Sequence, residues 1–258
     1  MDDSISIAIL SALVFLGGLG FHITAEILRK KRWSALRPNV RIIILAAIEL
    51  NLFGFLAIWA LEAGNPRSLS ALEWTDQARA AWMQAVALRT AGFTTFDTTL
   101  MHDSTALLSM ILMFIGGSMS TAGGIKLGTF VVIIAAVTAY MTQRRDVTLM
   151  KRSIPADTVQ KALAVVVVTV TIATTGLMLL TLLEDFSFLS LMVEVIAALS
   201  TADLSLDLTQ DLSPASQCVL MVLMFVGRIG PLTLVYGLTA RSRNRSRIHY
   251  PEMEFQVG

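Results

Sequence analysis

Cysteine is almost missing from this 258-residue chain: Cys218 stands alone, so no disulfide can close within it, and its apolar setting says nothing of redox compartment. Histidine is nearly as scarce. His102 and His249 fall in loops with no second ligand at metal-site spacing, and His22 sits near a helix end, an interfacial position. Charged residues make up only 15% of the chain and the net charge is +1, a value that points to no acidic or basic partner. Also missing is a small-residue cleavage site after the first apolar run, which follows Asp2 and Asp3, so that run is expected to stay in place and not to leave as a signal peptide.

What the chain does have is apolar length. Hydrophobic residues reach 55% and mean hydropathy is +0.69. "IIILAAIELNLFGFLAIWAL" (42–61) and "ALAVVVVTVTIATTGLMLLTLL" (162–183) each supply the roughly 20 apolar residues that cross a hydrocarbon layer. Further runs occupy 5–28, 105–117, 130–141 and 216–238. A soluble core of this size needs no runs so long, so the chain is read as an integral membrane protein.

The scarce charges are distributed unevenly. Fifteen of the 20 lysines and arginines fall in three clusters: Arg29 to Arg41, Arg144 to Lys161, and Arg241 to Arg247. The positive-inside rule makes all three cytoplasmic; topology explains them more simply than a nucleic-acid surface does. The span 42–61 then leaves the cytoplasm, and the cluster at 144 has returned to it. Only one net crossing fits between, yet that interval holds both a short helical segment, 76–88, and the apolar stretch 105–141. The short segment must therefore enter and return on the same side. The same count applies to 162–183, 186–200 and 216–238. Each unit reads as span, re-entrant helix, irregular return, span: an all-α membrane protein of repeated helix–pore-loop–helix units, similar in plan to a K⁺ channel.

Non-helical backbone at membrane depth is tolerated only when protein buries it or water lines it. The carbonyl end of a short helix carries partial negative charge, and the backbone after it can turn carbonyls toward a dehydrated cation. In "RTAGF", Thr90, Ala91, Gly92 and Phe93 are the candidate carbonyl donors, with glycine permitting unusual backbone angles. A run over 104–141 would be about 57 Å long as one helix, far beyond the hydrocarbon layer, so a break is expected near 118–124.

An internal repeat supports the units. An offset of 111 aligns "RTAGFTTFD" (89–97) with "STADLSLDL" (200–208), and also "MILMFIGG" (110–117) with "MVLMFVGR" (221–228). A weaker copy, "LVFLGG" (13–18), matches "LMFIGG" at an offset of 99. Residues 1–33 are accordingly the closing helix of a preceding repeat, 34–153 a third-type repeat, 154–247 a fourth-type repeat and 248–258 a tail.

"RTAGF" (89–93), "MFIGGSMSTAGGIK" (113–126), "DLSPASQCVLMVLMFVGRIGPLTL" (211–234) and the closing "YPEMEFQVG" resemble the Trk/Ktr/HKT cation transporters, most of all the C-terminal half of the Ktr-type membrane subunit. The resemblance implies four repeats fused around one potassium pathway, with K⁺ (Na⁺ as the alternative) as cargo and no organic cofactor. It makes Thr90 to Phe93 the third filter and Thr201, Ala202, Asp203 and Leu204 the fourth, with Asp203 where the family carries glycine. It makes Gly117, Ser118, Met119, Ser120, Thr121, Ala122, Gly123 and Gly124 an intramembrane gating loop, with Lys126 at its cytoplasmic end and Arg228 facing the pore beside it. Implied partners are a cytosolic nucleotide-binding RCK (KTN) ring, the bilayer, and a second chain or further N-terminal repeats to complete the pore, with two pores pairing as a homodimer; no nucleic acid is implied. The location implied is the plasma (inner) membrane, multi-pass, with basic loops cytoplasmic.

Competing readings remain beside these. The glycines of 116–124 could serve only close helix packing. Arg228 could pair with Asp203, Asp207 or Glu194, and Glu49 and Glu194 are expected to make helix-to-helix polar contacts. "GGSMSTAGGIK" is no phosphate loop, because its lysine follows isoleucine and no strand precedes it. Ser118, Ser120 or Asp203 in a membrane raises a protease reading, but no partner base accompanies them. A truncated or degenerate non-conducting paralogue, acting as a scaffold or partner subunit, is the alternative function.

Overall fold

The computed structural model describes residues 4–92, 94, 96–118, 123–144 and 146–230. Phe93, Met119 to Ala122, the arginines after 240 and the "YPEMEFQVG" ending lie outside the described residues. Among the described residues two helices are long and apolar enough to cross a bilayer alone: α3 (Pro38–Glu62) and α7 (Ala156–Leu183). At 1.5 Å per residue they reach about 37 and 42 Å. The re-entrant candidates are real and short. Helix α4 (Trp74–Ala87) and helix α8 (Phe188–Ser200) extend only about 20 Å each.

Local sequence fixes the helix ends. Pro38 opens α3 and Pro214 opens α9 (Pro214–Ile229), where a missing N–H costs nothing. The Ser187 and Ser213 hydroxyls cap α8 and α9 by accepting the N–H of Ser190 and Ser216. The apolar stretch after residue 103 breaks, as its length requires: α5 (Asp103–Phe114) ends and α6 (Leu127–Met141) begins with the described residues 115–118 and 123–126 between them non-helical.

The first apolar run departs from expectation. It is not one closing helix but α1 (Ser4–Leu19) and α2 (Phe21–Lys30), bent by 103°. Gly20 makes the corner at φ 85°, a backbone state that a side chain disfavours. Glu26 on α2 then accepts the Arg37 backbone N–H at 2.9 Å and pairs with Lys30 and Arg37 at 2.9 and 2.8 Å, tying α2 to the start of α3. Between α6 and α7, β1 (Thr148–Leu149) and β2 (Arg152–Ser153) form a small hairpin in the basic connection. Its turn residues Met150 and Lys151 both have positive φ, the geometry of a two-residue hairpin turn.

Burial is inverted relative to helix length. The short α8 is the most enclosed element, with Val193 through Ser200 all buried, and α4 buries Ala80, Ala81 and Met83 through Ala87. The long α7 instead exposes Leu163, Val167, Val170, Met178 and Leu182, an apolar face suited to hydrocarbon. Small residues bring the helices close. A side chain at Gly54 of α3 would meet Leu112 of α5 and Ala85 of α4, and one at Gly176 of α7 would meet Leu223 of α9.

Candidate functional site

Both re-entrant helices end in the same backbone signature. Thr90 and Gly92 have φ of 67° and 68°, and Thr201 and Asp203 have φ of 50° and 60°. Left-handed residues at alternate positions break the regular reversal of carbonyl direction that an extended strand would show. At α8 the entry is a full left-handed cap: the Thr201 N–H bonds the Ala198 carbonyl at 3.1 Å and the Ala202 N–H bonds the Ala197 carbonyl at 3.0 Å. Threonine, being β-branched, holds a left-handed φ only under constraint from its surroundings. Ala202 and Leu204 are buried and Asp203 is exposed.

The two segments lie side by side. A Cβ on Gly92 would stand 2.8 Å from a carboxylate oxygen of Asp203, so position 92 is confined both by its φ and by its neighbour. On the return side, the Thr98 hydroxyl donates to the Ser205 carbonyl at 2.7 Å, joining the third repeat to the fourth. Glu194 of α8 accepts the Ser205 hydroxyl and, at 2.9 Å, the Thr209 hydroxyl. Its contact is thus helix to loop, not the helix-to-helix contact expected from sequence.

The break between α5 and α6 is pinched at its neck and seated against the C-terminal end of α8. Ile115 and Ile125 pair as a parallel bridge, the Ile125 N–H bonds the Phe114 carbonyl at 2.9 Å, and the Leu127 N–H reaches the Gly117 carbonyl at 3.3 Å. The neck closes because Gly116 has no side chain: a Cβ there would lie 2.0 Å from the Gly123 carbonyl oxygen. The loop then binds the carbonyl end of α8. The Gly123 N–H donates to the Thr201 hydroxyl at 3.0 Å, and the Gly124 N–H to the Leu199 carbonyl at 3.3 Å. Gly227 of α9 meets the same end, where a Cβ would fall 2.0 Å from the Leu199 oxygen. Ser118 anchors the other flank, its N–H donating to the Gly18 carbonyl at 2.9 Å and its hydroxyl to the Leu19 carbonyl. Lys126 occupies the N-cap position of α6, and Arg228 lies in the last turn of α9.

A family model described as a cation transport protein, TrkH, matches residues 2–242. The chain belongs to the TrkH family. It is 36% identical, along 100% of its length, to the Ktr system potassium uptake protein B of Bacillus subtilis (strain 168), covering 57% of that protein. It is 38% identical over 98% of its length to the protein of the same name from Vibrio alginolyticus, covering 56% of it. The potassium transporter TrkH from Vibrio parahaemolyticus, a solved structure, shares the fold at a TM-score of 0.75 and 20% identity, over 93% of this chain and 53% of that one. The chain therefore spans a little over half the length of these relatives. They are named as ion-uptake proteins, not enzymes, which removes the protease reading.

In this TrkH-family chain, sequence reasoning overlooked a pair of carboxylate staples. Glu62, fully buried at the end of α3, accepts the His102 N–H at 2.9 Å, along with donors from Asn65 and Ser68. Glu184, just past α7, accepts the Ser213 N–H at 2.8 Å. His102 and Ser213 are separated by the repeat offset, so in each case the end of a long span, α3 or α7, is fastened to the start of the helix after the return loop, α5 or α9. Donors at Ser213 and Ser216 hold the Glu184 carboxyl below the usual carboxylate range. An acidic residue ending each long apolar run was the available signal.

Proposed function

We propose that the chain forms two of four walls of a potassium pathway, with carbonyls of Thr90 to Phe93 and Thr201 to Leu204 as the cation ligands. The observation that carries this reading is the matched left-handed alternation at Thr90/Gly92 and Thr201/Asp203, placed at the carbonyl ends of two buried re-entrant helices. Helix ends of that polarity favour a cation, and backbone carbonyls replace its hydration shell. K⁺ is the cargo, with Na⁺ as the competing ion.

The loop from Gly117 to Gly124 is the gate on this reading, because its neck is hydrogen-bonded shut and its glycines seat it on Leu199 and Thr201. Lys126 and Arg228 place positive charge beside it. Two filter segments do not encircle an ion, so further repeats or a second chain complete the ring. The basic loops face the cytoplasm of a plasma (inner) membrane protein and meet a nucleotide-binding RCK ring, with two pores pairing.

The test is cation flux into vesicles holding the assembled pore. Gly92→Ser is expected to lower the K⁺/Na⁺ flux ratio while the protein still assembles. A wild-type protein that assembles with its partners yet passes no cation would overturn conduction in favour of the scaffold reading.

A further inference from the structure

The two filters are not braced alike. The third uses Gly92 at its second left-handed position, where no side chain resists. The fourth places Asp203 at φ 60° there, after Thr201 at φ 50°. Such residues persist only where surrounding contacts over-determine the backbone.

Those contacts converge on Ser205, the residue following the filter. Its hydroxyl is held by the Glu194 carboxylate, its carbonyl by the Thr98 hydroxyl at 2.7 Å, and Glu194 also takes the Thr209 hydroxyl at 2.9 Å. Glu194 is 4% exposed and sits on the helix behind the filter. At the repeat offset its counterpart is Met83, whose sulfur accepts the Ser11 hydroxyl at 3.6 Å. The carboxylate therefore accompanies the filter that lacks glycine.

We propose that Glu194 is a positioning residue for ion preference. Through Ser205, and with Thr98 reaching across from the third repeat, it fixes the peptide planes of 203–205 and so the carbonyl spacing of the fourth filter. A bare helix-to-loop brace would matter only to stability; this one matters to selectivity because ligand groups must be held within about 0.5 Å of their working positions. The inference rests on the filter reading above.

The experiment uses the protein purified from membranes with the subunits that accompany it. The rise in melting temperature with added K⁺ or Na⁺ gives a half-maximal concentration for each ion. Glu194→Gln keeps the shape but removes the charge, and is expected to lower the preference for K⁺ by roughly tenfold, the scale of one charge-assisted hydrogen bond. Thr98→Val, which removes only the cross-repeat donor, moves the preference in the same direction by less. In an Asp203→Gly background, Glu194→Gln has a smaller effect, because a glycine needs less constraint at φ 60°. Lowered ion-free melting temperature with an unchanged K⁺/Na⁺ ratio in both variants makes Glu194 purely structural and overturns the proposal. If Glu194→Gln does not assemble, the ratio in Thr98→Val decides by itself. A wild-type protein without ion preference fails the filter reading instead, an outcome visible before any variant is compared.

Discussion

Gly92→Ala isolates the contact between the segments that hold Gly92 and Asp203. The added methyl does two separable things. It places an L side chain at φ 68°, which costs about 1–2 kcal/mol. It also puts a carbon 2.8 Å from the Asp203 carboxylate and 3.3 Å from the Asp203 Cβ. The carboxylate is the far end of a movable side chain, but the Asp203 Cβ is fixed to a strained backbone, so relief is partial and the coupling falls at about 0.5–1 kcal/mol. Gly92→Ala alone should therefore cost roughly 1.5–3 kcal/mol, and only about 1–2 kcal/mol when Asp203 is already glycine. Thermal melting of wild type, both single variants and the double variant in saturating K⁺ measures the cycle, each kcal/mol moving the midpoint by roughly 2–4 °C. Equal costs in the two backgrounds would mean that the segments do not touch. No cost in either would refute the left-handed backbone at 92, and with it the carbonyl geometry.

Two more perturbations test other parts of the site. Ser118→Ala removes the hydroxyl bonds to the Gly18 and Leu19 carbonyls, about 1 kcal/mol, and should raise amide hydrogen exchange of the 115–126 loop roughly fivefold; unchanged exchange would show that the anchor holds nothing. Glu184 has a folded-state acidity shifted below its ordinary value by its donors at Ser213 and Ser216, so its stabilisation is complete above about pH 4.3 and is lost as pH falls through the lowered folded value. Glu184→Gln should flatten the acid side of a melting-temperature profile, and matching acid slopes in wild type and variant would refute the staple.

The parts legible in sequence were those set by length and by repetition. A 38-residue apolar stretch cannot be one span, so the break after α5 followed from arithmetic, and the offset of 111 placed the left-handed pair Thr201 and Asp203 from the pair Thr90 and Gly92. The bend at Gly20 was missed because hydropathy is blind to φ, although Gly17, Gly18 and Gly20 cluster at the corner and the residues after it, with His22, Glu26, Arg29 and Lys30, are more polar than those before it. The staples escaped for a different reason. Glu62 and Glu184 are 122 residues apart, since the outer loop 63–73 of the third repeat outgrows its counterpart 184–187, so the repeat alignment separated them. Glu194 was visible as an acid in an apolar helix, but its partners are hydroxyls 11 and 15 residues ahead, beyond any helical spacing rule.

The corner at Gly20 gives the molecule a crank. One arm, α2, extends about 15 Å from the corner to a basic end and is bound through Glu26 to Arg37 at the root of α3. The other end of the crank is the pair of carbonyls at Gly18 and Leu19 that grips Ser118. The corner therefore joins the basic 29–37 segment to Ser118 through an unbroken run of backbone and side-chain contacts, so that the start of α3 and the entry to the 115–126 segment share one support.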